Sequence, residues 1–310
     1  MITHRPPRAY PVPDTDGLES CYNWHPAMKK SIILRVSKSS LGDFTFCSQQ
    51  YYINRVVGMK EPQNDNMLRG TNVHDSVEAF YNNMNVEYLK GLDKEKIDTY
   101  FKNCLPTPDV EYNLDEDLHL DRYKEIEVDR CLNSEVDNFL PTGNEKSINH
   151  VATIDVDGKP AMIHFIGIID RIFTNPDGSL HIHELKTGMW KNTPTKFKSM
   201  RKEMAFYVWL LSKAEPSSRI THWGWDHTKG TPDDGGTAFR FVEPVRTKEI
   251  GLMLADLQSL VRAHRRYEGD GEGSMFPLLP PGAQYPICDP WCGVKEFCPR
   301  YQTHLEVEEE

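Results

Sequence analysis

Three charged side chains on two neighbouring predicted strands have the composition of a metal-assisted hydrolytic site. Asp170 ends an apolar run, and Glu184 and Lys186 lie in the next run, after an Asn-Pro-Asp-Gly turn signal at 175–178. Side-chain alternation along a strand places Glu184 and Lys186 on one face, and the turn folds Asp170 back towards them. Two carboxylates and an ammonium suit a divalent metal ion and a nucleophilic water. Taken alone, the three charges fit a solvated surface hairpin equally well.

The spacing of these residues, together with a histidine upstream, resembles a known set of nuclease motifs. Residues 167–170 (Gly-Ile-Ile-Asp) and 184–188 (Glu-Leu-Lys-Thr-Gly) are similar to the core of the PD-(D/E)XK nucleases in their RecB-like form. The pattern Gly-x-x-x-His over residues 70–74, at the start of an amphipathic helix, resembles the first metal-ligand motif of that family. Without the resemblance, a single histidine at such a position is more often a packing or surface residue.

The resemblance implies both a catalytic set and a metal shell. It makes Asp170, Glu184 and Lys186 the catalytic residues, and it assigns the metal to His74, Asp170, Glu184 and the backbone carbonyl of Leu185. Mg²⁺ prefers carboxylate and water oxygens, whereas an imidazole ligand favours Mn²⁺. We expect Lys186 to orient the attacking water and to neutralise charge in the transition state.

A basic amphipathic helix predicted over residues 197–211 follows the catalytic strand. In the resembled family a Gln-x-x-x-Tyr motif at this place helps to hold DNA, and here the corresponding residues are Glu203 and Tyr207. A glutamate cannot donate the hydrogen bond of a glutamine amide, so the resemblance applies more fully to Tyr207. Arg201 and Lys202 are candidates for contacts with DNA phosphates, although a solvated helix face explains them equally well.

Four of the seven cysteines form a second candidate metal site. Cys47 lies near the N-terminus, and Cys288, Cys292 and Cys298 lie near the C-terminus, the last followed by proline. Four thiolates can bind a 4Fe-4S cluster or a structural zinc ion. The one-plus-three arrangement resembles the CRISPR-associated RecB-like exonucleases and the AddB nuclease domain, although Ser48 stands where that family usually has proline. This resemblance implies an iron–sulfur cluster that joins the N- and C-terminal segments.

The composition restricts the class of protein. The chain has 310 residues and a net charge of -10, which argues against a general nucleic-acid coat protein but not against a nuclease with a local basic groove. The longest apolar run, residues 205–211, is too short for a membrane span. The N-terminus lacks the apolar stretch of a secretory signal. We therefore expect a cytoplasmic protein without a membrane partner.

The order of predicted elements indicates an α/β fold, a restriction-endonuclease-like mixed sheet flanked by helices. We predict a poorly ordered arm over 1–30, a mainly helical part over 31–145 that includes a helical insertion, a nuclease core over 146–270, and a cysteine segment with an acidic tail over 271–310. Within the core, Asp157-Gly158 predicts a hairpin, and a third strand over 180–186 extends it into an antiparallel meander. The remaining core elements are predicted as strands over 219–227 and 237–243 and helices over 197–211 and 248–267.

Together these features predict a DNA exonuclease that depends on Mg²⁺ or Mn²⁺. The expected substrate is single-stranded DNA or a frayed duplex end, and the expected setting is recombination, repair, or the processing of CRISPR or phage DNA, with possible protein partners. Two alternatives remain: a structure-specific endonuclease, and a non-cleaving subunit that binds DNA ends in a recombination complex. The complete Asp/Glu/Lys set argues against the second, because a purely structural role does not need it.

Overall fold

The computed structural model describes residues 33–59, 63–108, 115–133, 136–188, 194–229, 238–270, 288, 292–298 and 301. The arm predicted over 1–30 and most of the segment over 271–310 lie outside these residues. None of the described helices is long and apolar enough to cross a membrane.

A six-stranded mixed sheet forms the centre of the molecule. Its strands are β1 (Ile33–Ser37), β2 (Gly143–Val156), β3 (Lys159–Thr174), β4 (Leu180–Lys186), β5 (Ile220–His227) and β6 (Phe239–Pro244). The order is β1-β3-β4-β5-β6, and β2 pairs with β3 as well. β1 is parallel to β3 and β4 is parallel to β5, whereas the other pairs are antiparallel. The predicted mixed α/β sheet is therefore confirmed, and β1, which the sequence analysis did not predict, adds a strand to it.

The long strand β3 creates a fork in the sheet. β2 follows one edge of β3 from Lys159 to Ile172. The opposite edge is divided, because β1 pairs with residues 162–166 and β4 pairs with residues 171–174. Residues 167–170 thus lie between the end of β1 and the point where β4 joins, and Asp170 is the last of them.

The hairpin between β2 and β3 forms as predicted. Asp157 and Gly158 both adopt left-handed backbone conformations, with φ angles of 58° and 72°. This pair of angles is what a two-residue turn with the twist of a hairpin requires. Arg262, from the last long helix, donates hydrogen bonds to the carboxylate of Asp157 at 2.8 and 2.9 Å.

Helices cover both faces of the sheet. They are α1 (Lys38–Phe46), α2 (Ser48–Tyr51), which continues as a π-helix (Tyr52–Val57), α3 (Asp65–Asn82), α4 (Lys94–Cys104), α5 (Glu116–Asn133), α6 (Pro194–Ala214) and α7 (Thr247–Asp270), with short 3-10 turns at Val86–Leu89, Val136–Asn138 and Lys295–Phe297. Ser37 caps α1, because its side chain accepts a hydrogen bond from the Ser40 amide. The sequence pattern places the start of α3 at residues 70–74, which is wrong, because Asn64 accepts a hydrogen bond from the Met67 amide and caps the helix earlier.

Two hydrophobic clusters support the sheet. The larger includes Phe165, Trp223, Met204 and Leu257, and it packs α6 and α7 against the strands. The second cluster, which we call the helical layer, joins α3, α4 and α5 and reaches the sheet through Phe173 and Leu185; its other members include Val77, Phe101 and Tyr123. Because Leu185 faces the helical layer, its neighbours Glu184 and Lys186 face the opposite side of β4.

Candidate active site

The site lies at the fork in the sheet, where strand ends bring distant residues together. β4 pairs with β3 as far as His183, opposite Arg171. Beyond that point the Leu185 amide donates to Oδ2 of Asp170 at 2.7 Å instead of to a strand partner. The predicted convergence of Asp170 with the strand that carries Glu184 and Lys186 is therefore what the structure shows.

The two carboxylates experience opposite electrostatic environments although both are buried. Burial, with the charge of Glu184 as the next contribution, raises the pKa of Asp170 to about 6. Burial alone would also raise the pKa of Glu184, but the ammonium groups of Lys186 and Lys38 lower it to about 2. Oε1 of Glu184 contacts both ammonium groups. Its Oε2 is buried and has no hydrogen-bond partner among the described residues.

Two lysines supply the positive charge of the site. Nζ of Lys186 lies 3.1 Å from Oε1 of Glu184 and 2.7 Å from Oε2 of Glu203. Lys38, the first residue of α1, bonds Oε1 of Glu184 and lies 3.8 Å from Oε2 of Glu203. Burial lowers the pKa of each lysine, but the neighbouring carboxylates outweigh it, so both pKa values are raised. The sequence analysis assigned no role to Lys38, because only the parallel pairing of β1 with β3 brings it here.

A candidate metal cluster comprises His74, Glu145 and Asp170, whose ligand atoms all lie within 4.8 Å of one another. Nδ1 of His74 is 3.5 Å from Oε1 of Glu145 and 3.6 Å from Oδ2 of Asp170, and its Nε2 is 3.2 Å from the carbonyl oxygen of Leu185. An imidazole, two carboxylates and a carbonyl are a donor set that suits Mn²⁺ or Mg²⁺. The unpartnered Oε2 of Glu184 adds an oxygen donor at the same strand end, so the residues present fit a divalent cation.

Glu145 is the member of this cluster that the sequence analysis missed. It lies in β2 opposite Asp170, and its backbone is left-handed, with a φ angle of 49°. Non-glycine residues rarely adopt this conformation, which is often found at functional sites. Arg171 holds the local geometry, because Nη1 donates to Glu145 at 3.1 Å and to the Asp170 carbonyl at 2.8 Å. No sequence motif marks Glu145.

The predicted DNA-binding residues on α6 are distributed unevenly around the site. Glu203 borders the site because its carboxylate forms an ion pair with Lys186, and the centre of the Tyr207 ring lies 5.2 Å from Nζ of Lys38. Arg201, in contrast, is bonded to Glu243 at 2.5 and 2.7 Å, and Lys202 is bonded to Asp256 at 2.5 Å. These two cations are therefore engaged within the fold, and their role in DNA binding stays a prediction.

The four cysteines of the second candidate site lie near one another. Cys47, Cys288, Cys292 and Cys298 are free thiols that are all partly buried. Burial raises the pKa of Cys292 to about 11, and the three other thiols contribute to the same shift. The amide of Cys292 donates to the carbonyl of Cys288 at 3.1 Å. This donor set fits either four-thiolate metal site, an iron–sulfur cluster or zinc.

Comparison with known proteins identifies the family. The model of the PD-(D/E)XK nuclease superfamily matches residues 35–299, most of the chain. The chain belongs to the PD-(D/E)XK nuclease superfamily. This membership implies a metal-dependent nuclease, a hydrolase that binds DNA and uses Mg²⁺ or Mn²⁺. The six-stranded mixed sheet with flanking helices is consistent with the restriction-endonuclease-like fold of the superfamily.

No curated protein matches the sequence significantly. Among solved structures, the crystal structure of SSO0001 is similar to this PD-(D/E)XK protein at 16% identity, with a TM-score of 0.30. The alignment covers 69% of this chain and 96% of that chain. A similarity this weak carries no information about substrate or role.

Proposed function

We propose that the protein is a DNA exonuclease that degrades single-stranded DNA or frayed duplex ends. The observation that carries the proposal is the convergence of Asp170, Glu184 and Lys186 beside the cluster of His74, Glu145 and Asp170. The preference for free ends rests on the resemblance to RecB-like exonucleases. On the same basis we place the protein in recombination, repair, or CRISPR or phage DNA processing, with partner proteins.

The chain's own residues prepare the site for hydrolysis. His74, Glu145 and Asp170 would hold the divalent ion, with the Leu185 carbonyl and Glu184 beside them. When bound, such an ion lowers the pKa of water and stabilises negative charge on the phosphate. The hydrogen bond from the Leu185 amide fixes the carboxylate of Asp170. The Lys186 ammonium, held by Glu184 and Glu203, orients the attacking water and stabilises negative charge that develops on the phosphate oxygens.

The α6 residues are proposed to contact the DNA strand beside this site. Tyr207 and Glu203 already border the two lysines of the site. Arg201 and Lys202 are paired with Glu243 and Asp256, so these ion pairs would have to break before either cation could bind a phosphate. We therefore expect Tyr207→Phe to weaken cleavage more than Lys202→Gln.

The central experiment is a cleavage assay on end-labelled single-stranded DNA with Mn²⁺, Mg²⁺ or EDTA. We expect chelator-sensitive cutting that Asp170→Ala abolishes. Lys186→Ala should slow cutting by about 10² to 10³ fold while DNA binding is retained. The matched control is Lys213→Ala, an exposed lysine near the far end of α6, which should cut at the wild-type rate.

The outcomes separate the proposed activity from its alternatives. Cutting of closed circular single-stranded DNA would establish an endonuclease instead, because such a substrate has no ends. Tight binding of DNA ends without cutting under either metal ion would favour the non-cleaving end-binding subunit. Wild-type cutting by Lys186→Ala would contradict the catalytic role of Lys186.

We further propose that Cys47, Cys288, Cys292 and Cys298 hold a 4Fe-4S cluster, with structural zinc as the alternative occupant. The backbone hydrogen bond between Cys292 and Cys288, and the effect of the other three thiols on the pKa of Cys292, support a shared site. A metal there would tie residue 47 to the C-terminal segment, so that binding energy becomes folding energy. After anaerobic purification, Cys292→Ala should lose visible absorbance and thermal stability together. Cys131→Ala, which alters a buried cysteine of the helical layer, should keep the colour, and zinc without iron in the wild type would decide for the alternative.

A further inference from the structure

Three cations border the ends of β4 and β5 on the side of the helical layer. Nη1 of Arg122, in α5, donates to the carbonyl of Thr228 at 3.0 Å, and the amide of Thr228 donates to the carbonyl of Lys186 at 3.2 Å. Lys229 follows Thr228 directly. Arg69 directly precedes Gly70 in α3. Gly70 lies close to the end of β4, because a Cβ added to it would be 3.6 Å from Oγ1 of Thr187. We call Arg69, Arg122 and Lys229 the helical-layer cation cluster; it lies next to the end of the catalytic strand.

His119 shows how closely these cations are gathered. Its side chain is fully buried, and its Nδ1 lies 2.6 Å from Oγ1 of Thr228. Burial, followed by the positive charges of Arg69, Lys229 and Arg122, lowers the pKa of His119 to about 4. His119 is therefore neutral at physiological pH and neither adds to nor cancels the charge of the cluster. Nε2 of His119 and Nε of Arg69 are buried polar atoms without a hydrogen-bond partner in the part of the chain that the structure describes.

The cluster differs from the other cations near the site because its charge is uncompensated. Arg201 and Lys202 are bonded to Glu243 and Asp256, and Lys38 and Lys186 are bonded to Glu184. Within the described ranges, in contrast, no carboxylate forms an ion pair with any of the three cations of the cluster. The carboxylate of Asp115 raises the pKa of His119, against the effect of the three cations, but Asp115 forms no ion pair with Arg69, Arg122 or Lys229. Three neighbouring cations without a carboxylate partner among the described residues are unusual in a protein with a net charge of -10.

We propose that the helical-layer cation cluster binds the backbone phosphates of the DNA strand on one side of the scissile phosphate. The inference rests on the proposed nuclease function and adds the surface along which the strand enters or leaves the site. Arg69 donates to the side-chain oxygen of Asn66 and Arg122 to the Thr228 carbonyl, but these neutral partners leave the positive charges in place. Arginine and lysine side chains without a carboxylate partner gain affinity for phosphates because condensed counterions are released from the nucleic acid. Arginine also presents a planar set of donors that matches a phosphate. Because the Lys186 carbonyl accepts the Thr228 amide, a strand held by the cluster passes the end of β4, the strand that carries the catalytic lysine.

The test measures DNA binding without cleavage. A fluorescent single-stranded oligonucleotide is titrated in EDTA over a series of salt concentrations, and the slope of log affinity against log salt counts the phosphate contacts. Arg69→Gln and Lys229→Gln should each reduce that slope by about 0.7, and the double variant by about 1.4. The control Lys213→Gln removes the same charge from an exposed position near the far end of α6 and should keep the wild-type slope.

Several results would overturn the proposal. They are an unchanged slope in the double variant, an equal reduction in Lys213→Gln, or absence of DNA binding by the wild type. Thermal melting checks that the variants are folded. If Arg69→Gln melts early, Lys229→Gln alone decides, because Lys229 is not a member of the hydrophobic cluster of the helical layer and its replacement leaves that packing intact. A wild-type protein that binds with this salt dependence but never cuts would refute the nuclease function while supporting the surface.

Discussion

At the scale of single residues, each buried charge of the site depends on a neighbouring group that stabilises it. Glu184 is buried, and it is stabilised as an anion because two ammonium groups contact one of its oxygens. Among the described residues, no ammonium group contacts the carboxylate of Asp170, which accepts from the Leu185 amide, lies 3.6 Å from His74 and feels the charge of Arg171. A buried carboxylate without full compensation is a favourable position for a divalent cation. Asp170 is therefore the carboxylate on which we expect metal binding to depend most.

Glu145→Gln tests the ligand that the motif does not contain. Replacing the carboxylate with a neutral amide removes an anionic donor from the cluster with His74 and Asp170, so Mn²⁺ affinity should fall on the order of 10 to 100 fold. Isothermal titration with Mn²⁺ measures this without any cleavage assay. Asp155→Asn, at an exposed position of the same strand, is the control and should bind Mn²⁺ as the wild type does. Equal affinities in all three proteins would remove Glu145 from the metal shell.

At the scale of elements, the close packing of β5 against β4 and β6 fixes the position of the catalytic strand β4. Gly224 in β5 lies against β6 and β4, since a Cβ there would stand 2.7 Å from the Phe241 carbonyl oxygen and from Cε1 of His183. The residues after Gly224 in β5 pair with residues 184–186 of β4. Any shift of β5 would therefore displace the catalytic strand.

Gly224→Ala should lower the free energy of unfolding by about 3 kcal/mol, because the added methyl group meets backbone that cannot move aside. Gly42→Ala is the matched control, since nothing lies within 4 Å of its added Cβ on α1. It should raise the free energy of unfolding by about 0.5 to 1 kcal/mol, as alanine favours helix over glycine. Denaturant unfolding measures both. Similar values for the two variants would contradict the tight packing of β5.

At the scale of the whole molecule, buried ion pairs join the helical layer to the sheet. Arg240 in β6 bonds Asp226 of β5 at 2.6 Å and Glu127 of α5 at 2.7 Å. Arg130 bonds Glu127 from the same helix at 2.6 Å. Glu127 and Asp226 are almost fully buried, and the Arg240 guanidinium lowers the pKa of Asp226 despite the opposing effect of burial. The helical layer carries His74, so this network also fixes one metal ligand relative to the strands.

Arg240→Met should destabilise the fold by about 3 to 5 kcal/mol, because it leaves two buried carboxylates short of a cation. Arg262→Met removes an exposed ion pair with Asp157 instead, which solvent screens, and it should destabilise the fold far less. Thermal or denaturant unfolding compares the two. A small effect of Arg240→Met would mean that hydrophobic contacts alone hold the layers together.

Acid should weaken the fold through His264, a partly buried and neutral histidine. His264 of α7 lies 2.8 Å from the Tyr51 hydroxyl, and burial lowers its pKa to about 4 from an ordinary value of 6.5. Between these values the unfolded chain binds a proton that the folded protein does not, so stability falls as pH decreases from about 6.5 to about 4. The contribution of His264 is up to about 3 kcal/mol. His264→Gln should therefore show a shallower loss of stability over this range in denaturant unfolding, and an unchanged pH dependence would contradict it.

The sequence by itself determined the features that depend on neighbouring residues. Asp157-Gly158 specifies the turn between β2 and β3 through the backbone angles it allows, and alternation along β4 places Glu184 and Lys186 on one face. The motif spacing also identified His74 and Asp170, which the structure brings within 3.6 Å. The turn and the alternation depend only on neighbouring residues, and the motif spacing rests on a family resemblance that covers most of the chain. Both can therefore be predicted without knowledge of the tertiary packing.

Only the tertiary structure decided which distant residues complete and surround the site. Lys38 meets Glu184 across 146 positions, and His74 meets Glu145 across 71. β1 ends opposite Ile166, shortly before Asp170, whereas β2 pairs with β3 on both sides of Asp170. The same packing pairs Arg201 with Glu243, whereas Arg69 and Lys229 form no ion pair within the described chain. Charge and spacing along the chain cannot distinguish a paired cation from a free one. That difference depends on which carboxylate the fold places within reach.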